Sequence, residues 1–185
     1  MISDSIKLIR DFESLHGYPS DSILNVMLVE TGGTLSTSIK NPGSSATGLI
    51  QFLEATAKGI GTTTFLLSKM NVAEQLIYVA KYFQPYKAKI LLSKDYLDTY
   101  LAVLYPALIG KDDSAIMCVN GSAAYSANKG IDSNNKGFVN KADIRRFYDR
   151  HVTTNRKRLG LSLVPSVGSE EVKKKFCCCC GQVLP

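Results

Sequence analysis

Glu30 is the residue of this 185-residue chain whose neighbours best suit it to act as a general acid or base. It follows the apolar run Ile23 to Val29 and precedes Gly32 and Gly33, which supply the backbone conformations that end a helix. Apolar surroundings desolvate a carboxylate and raise its pKa toward neutrality, as a proton donor in that pH range requires. A solvated carboxylate beside a glycine helix end fits the same residues, so Glu30 alone leaves both interpretations open.

Two later segments follow Glu30 in an order and at a spacing that together form a pattern. The first reads Gly48-Leu49-Ile50-Gln51-Phe52 and the second Ala124-Tyr125-Ser126-Ala127-Asn128. Together with Glu30-Thr31-Gly32-Gly33 they resemble the lytic transglycosylase family of the lysozyme superfamily, whose motifs are of the Glu-Ser-Gly-Gly, Gly-Leu-Met-Gln and Ala-x-Tyr-Asn type. The resemblance covers about residues 20–149. Thr31 stands in place of the serine, and two residues are inserted between Tyr125 and Asn128.

The chain looks most similar to the phage-encoded, virion-associated members of this family. Those members also tend to carry an Asn-x-Gly-x-Asp-x-Asn segment after the tyrosine, as residues 128–134 do here. The resemblance implies a tail-associated protein of the phage virion that acts on the host cell wall. Its expected partners are peptidoglycan glycan strands and other virion proteins, and no nucleic acid is expected.

The same resemblance implies a reaction and a set of site residues. The reaction cleaves the bond between N-acetylmuramic acid and N-acetylglucosamine of peptidoglycan and forms a 1,6-anhydro product, without a cofactor or a metal. Glu30 is implied as the single acid and base, Gln51 as a group that binds the sugar or orients the loop, and Tyr125 as a neighbour of Glu30. The residues expected at the substrate are Gly48, Leu49, Gln51, Phe52, Tyr125 and Asn128.

The spacing of carboxylates bears on the mechanism. A two-carboxylate glycosidase needs a second Asp or Glu roughly 5 to 10 Å from the first. No Asp or Glu lies between Glu30 and Glu54, which agrees with a mechanism that uses one glutamate. A hydrolase that recruits Glu54 or Asp132 is the alternative enzyme, and a non-catalytic glycan-binding or structural virion protein is the alternative outside enzymes.

The elements that must position these residues are mostly helices, so we predict a mainly α, lysozyme-like fold. Apolar residues recur at helical spacing, Asn71 with Glu74 forms a capping box, and Pro85 interrupts the helix that follows. The stretch Thr34 to Gly48 lacks periodicity and predicts a long polar loop with a possible small hairpin. The predicted helices cover residues 3–15, 21–29, 72–84, 96–104, 114–125 and the segment after Asn140.

Composition places the chain among globular proteins and predicts one domain over residues 1–155, followed by a basic, cysteine-rich tail over 156–185. No apolar run approaches the ~20 residues of a membrane span, and we expect no secretory signal. The unbroken run Cys177 to Cys180 offers no disulfide framework. The net charge of +6 suits polyanions, although the basic residues do not interleave with aromatics as in nucleic-acid-binding proteins.

One further segment resembles a calcium-binding loop. Asp132, Asn134, Gly137 and Asp143 fall at positions one, three, six and twelve of an EF-hand pattern. Lys136 occupies position five, where an oxygen ligand is expected and an ammonium would repel calcium. We therefore expect no metal here and interpret the segment as an Asx-rich turn before the helix that Asn140 caps.

Overall fold

The computed structural model describes residues 2–163, which form nine α-helices and one small antiparallel hairpin, so the chain is mainly α as predicted. Two short 3-10 helices, Pro106–Leu108 and Lys129–Ile131, complete the described part. The strands are β1 (Ile116–Val119) and β2 (Phe138–Asn140). The helices are α1 (Ile2–His16), α2 (Ser22–Glu30), α3 (Glu54–Gly59), α4 (Thr64–Leu67), α5 (Val72–Phe83), α6 (Lys87–Ser93), α7 (Leu97–Leu104), α8 (Ala123–Asn128) and α9 (Lys141–Arg158).

Helix α2 lies at the centre of the core. All residues from Ser22 to Leu28 are buried, so this helix is covered on every side rather than on one stripe. Its neighbours are α1, α7 and α9, and α1 contributes the apolar face that contains Ile9 and Phe12. The helix that carries Glu30 at its end is therefore surrounded by other helices over most of its length.

The helix boundaries predicted at Asn71, Pro85 and Asn140 are confirmed. Asn71 caps α5 in a capping box with Glu74, and α5 ends at Phe83, two residues before Pro85. Asn140 caps α9 in the same way with Asp143. These caps satisfy backbone amides that have no partner inside a helix, which is why they can be recognised in the sequence.

The helix predicted over residues 114–125 is wrong for most of its length. Residues 116–119 form β1, which pairs antiparallel with β2 through Cys118 opposite Val139. Asn120 and Gly121 then turn the chain, with Gly121 at a φ of +89°. Helix α8 begins only at Ala123, so the pairing with a strand about 20 residues later overrides the local helical pattern.

The loop from Thr34 to Gly48 is present, and its expected hairpin is reduced to isolated bridge pairs. Thr47 pairs with both Lys40 and Phe52, and each pairing is a single bridge rather than a strand. Leu35 is buried in the main core, which anchors the start of the loop. Both ends of the loop are thus held in place, although the loop has no regular secondary structure.

Helix α9 continues across the predicted domain boundary at 155/156. Arg156 is among the most buried side chains, and its guanidinium bonds the carbonyl of Ser162 at 2.7 Å. The basic stretch at the end of α9 therefore belongs to the packed domain. The rest of the predicted tail, with Cys177 to Cys180, lies outside the described residues, and no helix within residues 2–163 is long and apolar enough to cross a membrane.

Replacing Arg156 with Ala should lower the free energy of unfolding by roughly 3 kcal/mol, because the change removes a buried cation from Asp21 and leaves the amide oxygen of Asn25 without its donor. Urea denaturation measures the loss. Lys157→Ala removes an exposed cation of the neighbouring position and serves as the control, with an expected change under about 0.5 kcal/mol. Equal effects of the two substitutions would contradict the buried role of Arg156.

Candidate active site

Glu30 is the last residue of α2, and its side chain is half-buried. Its carboxyl group forms no hydrogen bond or ion pair with any residue from 2 to 163. Burial is the cause that raises the pKa of Glu30, to about 7. Near neutral pH both protonation states are populated, as a group that first donates and then accepts a proton requires.

The chain leaves α2 through a tight turn that needs glycine. Gly32 and Gly33 have φ values of +57° and +81°, and the amide of Gly33 donates to the carbonyl of Leu28 at 2.7 Å. A Cβ atom on Gly33 would lie 2.7 Å from Arg158 Nη2 and 2.9 Å from Asn155 Oδ1. The glycine therefore serves both the turn and the close approach of α9.

Thr31 connects the end of α2 to the loop that follows. Its buried hydroxyl donates to the carbonyl of Met27 at 2.6 Å and accepts from the amide of Leu35 at 3.0 Å. A serine hydroxyl could make the same two bonds. Threonine in place of serine therefore costs neither of these bonds.

Helix α9 holds α2 by side-chain hydrogen bonds to the backbone at the end that carries Glu30. Asn155 Nδ2 donates to the carbonyl of Leu28 at 2.8 Å, and Arg158 donates to the carbonyl of Gly32. Carbonyls in the last turn of a helix and just beyond it have no amide partner within the helix, so they are open to donors from elsewhere. The Glu30 backbone is therefore fixed by residues more than 120 positions away in sequence.

Glu13 of α1 holds the start of α2 in a similar way, by side-chain hydrogen bonds to the backbone. Its buried carboxylate accepts from the amides of Asp21, Ile23 and Leu24 at 2.7 to 2.9 Å. Burial raises the pKa of Glu13 to about 7 against the lowering effect of these bonds. The nine residues of α2 separate Glu13 from Glu30 by roughly 13 Å, too far for the paired carboxylates of a two-carboxylate glycosidase.

Two tyrosine hydroxyls interact electrostatically with Glu30, those of Tyr82 on α5 and Tyr100 on α7. Burial, with a further contribution from Glu30, raises the pKa of Tyr82 to about 12 and that of Tyr100 higher still. Tyr82 donates to the carbonyl of Ala102 at 2.8 Å. The hydroxyl of Tyr100 has no hydrogen-bond partner among residues 2–163, although 97% of the residue is buried against Tyr148 and its neighbours.

Tyr125 and Asn128 are engaged elsewhere. Tyr125 donates to Asp132 at 2.8 Å, and the charges that raise the pKa of its hydroxyl are those of Asp132 and Cys118. Asn128 donates to the carbonyl of Ala124 at 2.9 Å. The structure thus groups Tyr125 with the Asp132 loop, while the tyrosines that respond to the charge of Glu30 are Tyr82 and Tyr100.

Gln51 orients the loop that follows the α2 turn. Its backbone adopts a φ of +52°, and its side-chain amide donates to the carbonyls of Gly48 at 3.1 Å and Ile39 at 3.4 Å. The amide of Gly48 donates to the same Ile39 carbonyl at 2.9 Å. Of the two tasks predicted for Gln51, loop orientation is the one these bonds perform.

The rest of this motif packs in the interior. Leu49 is fully buried, and its amide donates to Gln75 Oε1 at 3.0 Å. A Cβ atom on Gly48 would lie 2.6 Å from the same Gln75 oxygen, so glycine is needed there. The buried ring of Phe52 meets Tyr82 edge-on at 6.0 Å, which connects the motif to the tyrosines beside Glu30.

The two carboxylates considered for a hydrolase, Glu54 and Asp132, are both hydrogen-bonded to residues other than Glu30. Glu54 accepts from the amide and the hydroxyl of Thr64 at 2.9 and 2.5 Å, which hold its pKa below the ordinary value. Asp132 accepts from the backbone amides of Lys136 and Gly137 as well as from Tyr125. Within residues 2–163 no three His, Cys, Asp or Glu side chains are grouped to hold a metal ion.

The sequence indicates Glu30 and the glycine turn after it as a candidate site, but not the residues that hold them in position. Glu13 had a visible signal, since it lies four residues after Ile9 on the apolar face of α1. Tyr100 had no comparable signal, because the sequence shows it only as a tyrosine within an apolar helix. The chain matches no protein-family model, and no curated protein matches it.

Glu30 should destabilise the folded protein once it is ionised, because its pKa is about 7 in the fold and 4.5 as an ordinary glutamate. The contribution of Glu30 to stability is full below pH 4.5, is lost as the pH rises from 4.5 through 7, and stays constant at higher pH. Glu30→Gln removes this dependence, so the variant should match the wild type at pH 4 and exceed it by up to roughly 3 kcal/mol above pH 7.

Urea denaturation across this pH range measures the difference. Asp112→Asn, at an exposed position, is the control and should show no such trend. A stability gain for Glu30→Gln that is the same at every pH would mean that the carboxyl group is not desolvated.

Proposed function

We propose that this protein is a peptidoglycan lytic transglycosylase with a lysozyme-like fold, in which Glu30 is the single catalytic acid and base. The observation that carries the proposal is the state of Glu30. Its carboxyl group lies at the end of a buried helix, has no hydrogen-bond partner among the described residues and has a pKa of about 7. A fold bears the cost of such a group most readily where function requires it.

The proposed reaction uses both protonation states of Glu30 in turn. Protonated Glu30 donates its proton to the glycosidic oxygen as the bond to the muramoyl anomeric carbon breaks, and the substrate's acetamido group stabilises the positive centre. The Glu30 carboxylate then removes the proton of the muramoyl 6-hydroxyl, whose oxygen bonds to the anomeric carbon. The products are a 1,6-anhydro sugar and a free 4-hydroxyl, Glu30 regains its proton, and no water is consumed.

Three features support one glutamate rather than two. Glu13 is separated from Glu30 by the length of α2, and Glu54 is bonded to Thr64. Asp132 is surrounded by its own loop. The resemblance of the motifs to virion-associated family members adds the place of action to the proposal, which is the phage tail during local opening of the host wall.

Glycan cleavage is tested by incubating purified sacculi with the wild type and with Glu30→Gln and identifying the released muropeptides by mass spectrometry. The wild type should release anhydro-muropeptides, lighter by one water than reducing-end products. Glu30→Gln should release none, because an amide cannot donate the proton.

Glu54→Gln is the matched control and should retain activity. Reducing-end products from the wild type would replace the transglycosylase with a hydrolase. Absence of any product from a folded wild type would leave a glycan-binding or structural role.

Tyr100→Phe should lower the cleavage rate about tenfold, because the Tyr100 hydroxyl interacts electrostatically with Glu30 and is free to donate to the Glu30 carboxylate when that group ionises during the reaction. Loss of this donor destabilises the ionised form, so the alkaline limb of the pH–rate profile should move to higher pH. The control is Tyr148→Phe, which removes a hydroxyl from the same ring stack, beside Glu13 and Asp149. Identical profiles for both variants would assign Tyr100 to packing only.

A further inference from the structure

The segment from Asp132 to Asp143 surrounds the ammonium group of one of its own residues, Lys136. The carboxylates at its first and last positions are fully or almost fully buried, with exposed side-chain fractions of 0% and 1%. The ammonium of Lys136 lies between them, 3.7 Å from Asp132 Oδ1 and in direct contact with Asp143 Oδ2. A lysine side chain thus occupies the space between the two acidic ends of the loop.

The loop backbone has the shape that suits an ion at this place. Asp132 Oδ1 accepts from the amide of Lys136 at 3.1 Å, and its Oδ2 accepts from the amide of Gly137 at 2.8 Å. Gly137, at position six, has a φ of +84°, and this is where a calcium loop requires glycine for its sharp turn. The chain therefore wraps around the first carboxylate even though position five carries no oxygen ligand.

The balance of charges explains why the loop needs no divalent ion. Two buried carboxylates need compensating positive charge, because burying an unpaired ion is strongly unfavourable. Lys136 supplies one charge from inside the loop, and Arg146 contacts the other oxygen of Asp143 from α9. The two acids are balanced by two basic side chains, which leaves no net charge for a divalent ion to neutralise.

We propose that the Lys136 ammonium takes the place of a divalent cation in this loop, so that the loop folds without metal and a calcium site lies one substitution away. The consequence reaches beyond the loop, because β2 and the Asn140 cap of α9 are built within it. Helix α9 in turn carries the residues that hold α2. The order of the Glu30 region is thereby made independent of calcium.

The proposal is tested on the full chain with Lys136→Asp and the milder Lys136→Asn, both of which place an oxygen ligand at position five. Unfolding temperatures are measured in EDTA and in millimolar CaCl2, and Tb³⁺ luminescence sensitised by nearby tyrosine reports ion binding. The wild type should unfold at the same temperature in both media and show no sensitised Tb³⁺ emission. Each variant should unfold about 5 °C lower in EDTA, recover in calcium and bind Tb³⁺.

Two further variants separate charge from ligation. Lys136→Met removes the ammonium without adding a ligand and should be destabilised equally in both media. Lys129→Asp adds a carboxylate at an exposed position before the loop and should gain no response to calcium.

Stabilisation of the wild type by calcium, or a Lys136→Met protein as stable as the wild type, would overturn the proposal. So would folded Lys136→Asp and Lys136→Asn proteins that bind neither ion. If neither variant folds in EDTA, recovery in calcium supports the proposal and failure to recover contradicts it.

Discussion

Because α2 packs inside the core, the backbone groups at its ends must find hydrogen-bond partners in other parts of the structure. Residues 22–28 of α2 are buried, so the amides of its first turn and the carbonyl of Leu28 near its other end need partners other than water. Glu13 of α1 satisfies the first turn, and Asn155 and Arg158 of α9 bond to carbonyls at the other end. Both groups of bonds arise from helices that flank α2, and these helices, α1 and α9, are the longest among the described residues.

This arrangement makes an unfavourable carboxyl group tolerable. Glu30 gains no hydrogen bond from its surroundings and is partly desolvated, so its ionised form works against folding. A mobile helix end would relieve that cost by turning the side chain to water. Because the α2 backbone is bonded at both ends and Gly33 fits against α9 without a Cβ atom, that relief is prevented and the pKa of Glu30 remains near 7.

Features set by neighbouring residues could be predicted from the sequence, whereas those set by distant ones could not. The caps at Asn71 and Asn140 and the glycine turn after Glu30 are local, and all were found. The strand at 116–119 depends on pairing with β2, and the choice of Tyr82 and Tyr100 as neighbours of Glu30 depends on how α5 and α7 pack. The sequence predicts a basic tail that includes Arg156, because nothing near this residue reveals its buried partner Asp21, 135 positions earlier in the chain.

The distance in sequence between α2 and α9 also sets the order of events during synthesis. Glu30 leaves the ribosome more than 120 residues before Asn155 and Arg158, so for most of translation the helix end that carries it has no partners. Contacts of such long range form late, because the entropy of closing the intervening chain must be overcome first. A nascent or truncated chain that lacks the end of α9 therefore contains Glu30 without the packing that raises its pKa. The surroundings of Glu30 are complete only when the whole of α9 has been synthesised.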